Sequence, residues 1–127
     1  MAPLRDLSTF HDPDLILPIN GVQYRIKSPS ILEADRIREL NFDPELVDDK
    51  LHTEVTKILG STREEMKANR LPDTYATHAG RTALVYFGIS PEAGHAYWAF
   101  QQLASVVDVD SLIAKHADSS AESDAPV

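Results

Sequence analysis

The stretch LILPINGVQYRIKSPS, residues 15–30, decides the fold because it predicts a β-hairpin followed by the start of a helix. Asn20-Gly21 separates two apolar-rich arms, and both residues tolerate the positive φ that a two-residue type I′ turn requires. The second arm, Val22 to Ile26, alternates apolar and polar residues, so it has one apolar face. We therefore predict a hairpin over residues 15–27.

The hairpin must pack on other elements, because a two-stranded ribbon is only marginally stable by itself. We expect Leu15, Leu17, Tyr24 and Ile26 to enter the core. Pro18 has no amide hydrogen, so it belongs at an edge or at a position without a ladder hydrogen bond. A second use of the hairpin stays open, in which its exposed edge pairs with a strand of another polypeptide.

Most of the remaining chain predicts helices. Ser30 and Glu33 form a capping-box pattern at the first helix, and Asp43 followed by Pro44 is typical of the start of the second. The third helix carries the same capping-box pattern at Ser61 and Glu64. The predicted helices span about residues 30–40, 44–59, 62–69, 72–87, 91–105 and 110–116.

Two of these helices carry apolar residues at intervals of three and four, which predicts one buried face on each. The first stripe comprises Ile31, Ala34, Ile37 and Leu40, and the second comprises Val47, Leu51, Val55, Ile58 and Leu59.

The predicted fold is mainly α (α+β), with the N-terminal hairpin packed on a bundle of about five helices. Residues 1–116 form a single globular domain in this interpretation. Residues 117–127, ADSSAESDAPV, contain three acids, no base and no large apolar residue before the last valine. Such a composition buries too little apolar surface to fold, which predicts a disordered acidic tail.

Composition excludes several classes of function. The 127 residues include 20 Asp and Glu against 12 Lys and Arg, for a net charge of −8. No cluster of cations is present to bind a phosphate backbone, so nucleic acid is not an expected partner. No apolar run approaches the roughly 20 residues that span a bilayer, and the first ten residues lack a signal-peptide core. We expect a soluble intracellular protein that does not bind membranes.

No catalytic, cofactor-binding or metal-binding residues are predicted, and we expect a protein that is not an enzyme. The chain has no cysteine, and its five glycines do not form a phosphate-binding loop. Its five histidines lack metal-ligand spacing; His11 beside Asp12 and Asp14 is the nearest approach to a weak cation site.

The candidate partner-binding residues lie in THAGRTALVYFGISPEAGHAYWAF, residues 77–100, which holds five of the nine aromatic residues. Small residues interleaved with aromatic ones are typical of an antiparallel helix pair that forms core. Adjacent residues on a helix point about 100° apart, however, so adjacent aromatics cannot all face the core. Some of this area is therefore predicted to bind a partner: Tyr86, Phe87, Tyr97, Trp98 and Phe100.

The chain resembles the tail assembly chaperones of siphophages, particularly those that infect actinobacteria. The resemblance covers about residues 4 to 113, and the order and spacing of several short motifs carry it. These are Leu4-Arg5-Asp6-Leu7, LILPINGVQYRI, Ala34-Asp35-Arg36, Leu59-Gly60, Glu65-Met66, Ala79-Gly80-Arg81-Thr82-Ala83, Tyr86-Phe87-Gly88, Pro91-Glu92-Ala93 and Trp98.

The resemblance implies a bacteriophage protein of viral tail assembly that acts in the host cytoplasm and is absent from the mature virion. Its expected partners are the tape measure protein, which it would bind and keep soluble, and the tail tube protein, whose assembly it would promote. The resemblance also leaves room for a homo-oligomer. The alternative is a structural virion protein such as a head–tail connector, and a third hypothesis is an enzyme or small-molecule binder.

Overall fold

The computed structural model describes residues 3–107, with side chains through residue 100. An N-terminal arm, residues 3–14, contains a short 3₁₀ turn at Leu7–Thr9 and leads into a hairpin and five helices. The mainly α fold with an N-terminal hairpin is therefore confirmed. The predicted helix at residues 110–116 and the predicted tail at 117–127 lie outside the described residues. The elements are β1 (Leu15–Ile19), β2 (Val22–Ile26), α1 (Ile31–Leu40), α2 (Asp48–Leu59), α3 (Ser61–Ala68), α4 (Asp73–Gly88) and α5 (Pro91–Val107).

The hairpin turn has the geometry that its sequence predicts. Asn20 and Gly21 have φ values of 53° and 79°, the positive values that a type I′ turn needs. The two strands pair antiparallel, with Ile19 opposite Val22 next to the turn. This register places Leu15, Leu17 and Ile19 of β1 on the same face as Tyr24 and Ile26 of β2, whereas Ile16 lies on the exposed face.

The apolar face of the hairpin is buried against the helices. Two polar contacts fix its position: the Thr62 hydroxyl donates to the Arg25 carbonyl at 2.5 Å, and Asn69 Nδ2 donates to the Tyr24 hydroxyl at 2.8 Å. Burial of each large side chain contributes about 1.5–3 kcal/mol. The first role predicted for the hairpin, supplying the core, is confirmed. The buried hairpin residues are Leu15, Leu17, Ile19, Tyr24 and Ile26.

Helix α4 is the central element, and it packs against α1, α2 and α5. Its small residues allow the close approach: a Cβ atom at Gly80 would lie 2.3 Å from Val55 Cγ1 on α2. At the other contact, Asn41 follows α1 and donates a hydrogen bond of 3.0 Å to the Leu84 carbonyl, which ties the end of α1 to α4.

The first predicted capping box forms only in part. The Glu33 N–H donates to Ser30 Oγ at 3.3 Å, as the pattern predicts, and α1 begins at Ile31. The Glu33 side chain instead accepts hydrogen bonds from Arg36. A carboxylate gains more from a guanidinium than from a neutral amide, which explains the exchange of partners.

The second helix begins at Asp48 rather than at residue 44. Asp43 does act as a cap, but of a turn: its carboxylate accepts the Glu45 N–H at 2.8 Å. Asp48 then has a φ of 50°, in the left-handed region, which interrupts helical geometry between this turn and α2. The third helix starts at Ser61 directly after Gly60, so Ser61 is its first residue and not a cap.

The ends of both predicted apolar stripes also differ from the prediction. Ile31 lies at the first turn of α1 and is exposed, although Ile37 and Leu40 further along are buried. Val47 precedes α2 and is exposed, whereas Val55 and Leu59 are buried. The stripes are therefore correct where α1 and α2 cross other elements, and wrong where each element begins beyond the core.

Candidate partner-binding surface

The predicted aromatic residues lie where α4 and α5 meet. Gly94 on α5 allows the approach, since a Cβ atom there would lie 2.8 Å from the Tyr86 Cα atom. The Tyr86 and Phe87 rings meet edge to face with centroids 5.0 Å apart, and the His95 ring lies 5.7 Å from Tyr86. Edge-to-face pairs of this kind stabilise a fold beyond their buried area.

The five aromatic residues do not form one exposed surface. Tyr86, Phe87 and Trp98 are partly buried and pack against the core. Tyr97 is half-buried, with the Arg81 guanidinium 5.8 Å from its ring centroid. Phe100 is 55% exposed, so it has the largest free apolar area of the five.

Large apolar residues that the sequence interpretation did not select are more exposed than these aromatics. Ile31 and Leu32, at the first turn of α1, are 85% and 82% exposed, and Phe42 after α1 is 79% exposed. The N-terminal arm adds Leu4, Leu7 and Phe10, none of which is buried. Because large apolar side chains normally lose most of their exposure on folding, these positions are candidates for contact with a partner.

The sequence does contain a signal that Ile31 and Leu32 cannot both be buried. Ile31 and Leu32 are adjacent on a helix, so they point about 100° apart and cannot both follow the stripe through Ile37 and Leu40. Periodicity gives no such signal for the arm, where the regular element is a three-residue 3₁₀ turn.

The base of the arm is held to the hairpin by charge. Arg25 Nη1 on β2 lies 2.8 Å from Asp12 and 3.2 Å from Asp14. The Asp14 carboxylate also accepts the Ser28 N–H at 2.9 Å, just before α1. The hydrogen bond from Arg25, together with that from the Asp14 N–H, lowers the pKa of Asp12 below its usual value. We call this set of contacts the arm clasp.

The arm clasp occupies two of the three side chains considered as a weak cation site, His11, Asp12 and Asp14. Both carboxylates are directed to Arg25 instead of converging on a shared metal position. Within residues 3–107, no group of three or more His, Asp or Glu side chains is arranged to hold a metal ion. No helix in the same range is long and apolar enough to cross a membrane.

A groove of about 310 Å³ lies between α1, α2 and the ends of β2 and α3. Its lining is mainly apolar, and Lys27 and Lys57 add positive charge. Glu33 lines it too, but its hydrogen bonds from Arg36 lower its pKa, so it stays ionised and is a poor proton donor. This composition suits the binding of an apolar group with adjacent negative charge. The lining residues are Lys27, Pro29, Glu33, Ile37, Lys57, Ile58, Leu59, Gly60, Ser61 and Thr62.

A bridge between α1 and α2 crosses beside the groove. Arg36 Nη2 lies 2.7 Å from Glu54 Oε2, and Glu54 is buried. Contacts with both Glu33 and Glu54 raise the pKa of Arg36, so the guanidinium remains charged. A buried carboxylate needs such a partner, since burial without one is strongly destabilising.

Comparison with known proteins identifies a family over nearly the whole chain. A domain of unknown function, DUF7426, matches residues 5–126. The chain belongs to the DUF7426 family. No curated protein and no solved structure matches it.

Proposed function

We propose that the protein is a bacteriophage tail assembly chaperone that binds and solubilises the tape measure protein and promotes tail tube assembly. It would act in the host cytoplasm and leave before the virion is complete. It would do so by covering apolar surface, with no covalent chemistry.

The observation that carries the proposal is the set of large apolar side chains left exposed on an acidic helical domain. Ile31 and Leu32 at the start of α1 are 85% and 82% exposed, and Phe42 after the end of α1 is 79% exposed, although the chain buries a separate hydrophobic core. Contact with apolar surface of another polypeptide would remove these side chains from water at about 25 cal/mol per Å². The net charge of −8 would keep the coated complex soluble.

The physical need for such a protein follows from the proposed partner. In the family that this chain resembles, the tape measure protein is long, helical and rich in apolar faces, so it aggregates unless covered. An amphipathic helix binds through side chains spaced three and four residues apart. Many weakly bound copies along one long chain would gain by avidity.

Co-expression with the tape measure protein of the same phage tests the proposal. We expect the wild-type chain to move the tape measure protein from the pellet into the soluble fraction, and the two to co-purify. The double variant Ile31→Ser with Leu32→Ser should fold normally but lose at least part of this effect. Tyr75→Ser is the matched control, because Tyr75 is also exposed but lies at the far end of α4 from its contact with α1.

A tape measure protein that stays insoluble with the wild-type chain would contradict the proposal. The alternative, a structural virion protein such as a head–tail connector, requires the chain to remain in the finished particle. Mass spectrometry of purified virions separates the two, since a connector is present in fixed copy number and a chaperone is absent.

A further inference from the structure

Two surfaces of opposite charge lie at opposite ends of α1 and α2. Glu33 and Lys57 both line the groove, and Arg36 reaches Glu54, so residue numbers rise along α1 as they fall along α2. The two helices therefore run in opposite directions, and residues 41–47, which join them, lie at the end away from the groove. At about 1.5 Å per residue, Lys57 in the groove and Asp48 at the start of α2 are roughly 14 Å apart along the helix.

The groove has an apolar lining and unpaired positive charge. Pro29 and Ile58 are half-buried and contribute accessible apolar surface, whereas Ile37 and Leu59 line the groove as buried residues. Lys27 and Lys57 contribute two cations, and the one carboxylate in the lining, that of Glu33, is paired with Arg36. Neither lysine takes part in an ion pair within residues 3–107, whereas five other cationic side chains there do. A ligand of this groove should therefore combine an apolar group with carboxylates.

The chain itself carries such a group. We define the acidic loop as residues 42–49, FDPELVDD. Phe42 and Val47 in this loop are exposed. Glu45, Asp48 and Asp49 have no ion-pair partner among the residues whose side chains are described. The loop thus presents two exposed apolar side chains together with three carboxylates that lack an ion-pair partner among the described side chains, while its fourth carboxylate, Asp43, is paired with Lys50.

We propose that the acidic loop of one copy docks in the groove of a second copy. Phe42 and Val47 would contact the apolar lining, and the loop carboxylates would lie near Lys27 and Lys57. Within one copy no residue of the loop lines the groove, because the two lie at opposite ends of the helix pair. Complementary charge would select the orientation and increase the rate of encounter.

The contact would join unlike surfaces, so each added copy leaves one free loop and one free groove. Such heterologous contacts build open chains unless a rotation closes them into a ring. The groove is lined by ten residues, fewer than the roughly 20–30 residues a side of a standard protein interface, so each contact should be weak and reversible. This inference shares Phe42 with the proposed function, but its test needs no second protein, so either proposal can fail without the other.

Sedimentation velocity of the full chain tests the proposal. We expect the mean mass to rise with concentration between about 10 µM and about 1 mM, the range of weak association. Raising salt from about 0.1 M to about 1 M shortens the screening length to roughly 3 Å, so the association should weaken.

Two variants, one for each surface, make the test specific. Lys27→Glu with Lys57→Glu disables the groove, and Phe42→Ser with Val47→Ser disables the loop. All four residues are exposed, so both variants should keep the wild-type circular dichroism spectrum. Each variant alone should self-associate about tenfold or more weakly than wild type.

Mixing the two variants gives the decisive result. The groove variant retains an intact loop, and the loop variant retains an intact groove. Their mixture should therefore form a 1:1 dimer and nothing larger. Lys67→Glu with Arg70→Glu is the matched charge control and should associate like wild type, because these exposed residues do not line the groove.

Three results would each overturn the proposal. The wild-type chain stays monomeric throughout the concentration range; the groove and loop variants associate as strongly as wild type; or their mixture forms no dimer.

Discussion

Tyr24 and Ile26 on β2 are buried beneath the helices, whereas Ile31 and Leu32, a few residues later in the chain, are almost fully exposed. Both pairs are large and mainly apolar, so hydrophobicity alone does not separate them. The hairpin pair alternates with polar residues and lies opposite a second apolar strand, and it is fixed by hydrogen bonds from Thr62 and Asn69. Ile31 and Leu32 are adjacent apolar residues with no polar residue between them, and they lie at the first turn of α1. Regular apolar patterning therefore indicates core only where an element crosses other elements: Ile31 belongs to the apolar stripe of α1, but it lies beyond that crossing and is exposed.

The largest loss of stability should come from substitution of the buried residue Tyr24. Tyr24→Ala removes a fully buried ring, so we expect the free energy of unfolding to fall by about 3–5 kcal/mol. Tyr24→Phe keeps the ring and loses only the hydrogen bond with Asn69, and it should cost about 0.5–1.5 kcal/mol. Urea denaturation followed by circular dichroism measures both. Equal losses in the two variants would show that the ring's burial is not what stabilises the hairpin.

Trp98→Ala should have the next largest effect. Trp98 packs against the core but is only partly buried, so we expect a loss of about 2–4 kcal/mol, below that of a fully enclosed tryptophan. Phe100→Ala, on the same helix but more than half exposed, is the comparison variant and should change stability by less than about 0.5 kcal/mol. A Trp98→Ala variant with wild-type stability would show that Trp98 does not stabilise the core and belongs instead with the exposed residues.

Gly80→Ala tests the close contact of α4 with α2. The added methyl group would overlap the Val55 side chain, which should cost about 1–3 kcal/mol despite the better helix propensity of alanine. A Val55→Ala background removes both γ-methyl contacts and keeps only the Cβ contact at 2.9 Å, so the same substitution should cost less there than in the wild type. Thermal denaturation of the four proteins in this cycle gives the coupling. Additive effects would contradict the close contact.

Substitution of the exposed residues Ile31 and Leu32 should have almost no effect on the stability of the fold. Ile31→Ser with Leu32→Ser should change the free energy of unfolding by less than about 0.5 kcal/mol per residue, because neither side chain is enclosed. Urea denaturation checks this directly. A loss of several kcal/mol would mean that these residues stabilise the isolated chain and are not reserved for a partner.

The smallest effect concerns the arm clasp and pH. Folding lowers the pKa of Asp12, so the clasp contributes stability above the usual aspartate pKa of about 3.9 and loses it as the pH falls below that value. The arm should therefore detach under acid conditions before the domain unfolds, which amide resonances of Ser28 and the arm would report. Arg25→Gln should leave the arm loose at neutral pH as well, and an unchanged pH profile in that variant would exclude the clasp.

The sequence predicts the hairpin, its turn and the existence of all five described helices, because these depend on local periodicity and on Asn-Gly chemistry. It places the start of α2 four residues too early, since the left-handed backbone at Asp48 is not encoded in any local pattern. It also selects the aromatic residues of α4 and α5 as the binding surface. Local sequence does not show which of these residues are buried, because their exposure depends on tertiary packing. The close approach of α5 to Tyr86 at Gly94 buries much of the aromatic area.

The position of the groove could not be predicted for a similar reason. Its lining comes from β2, α1, α2 and α3, which no local pattern brings together. The Arg36–Glu54 bridge that crosses beside it joins residues 18 positions apart. Charge counts show an acidic chain, but they do not show that Lys27 and Lys57 face the same groove.

Amide hydrogen exchange of the full chain, alone and bound to the tape measure protein, tests the central claim most directly. The account predicts that binding slows exchange at the start of α1 and in the acidic loop. The amides of Tyr24 and Ile26 are already protected and should change little. Protection confined to the hairpin, or a complex in which no amide of α1 or the acidic loop changes, would contradict it.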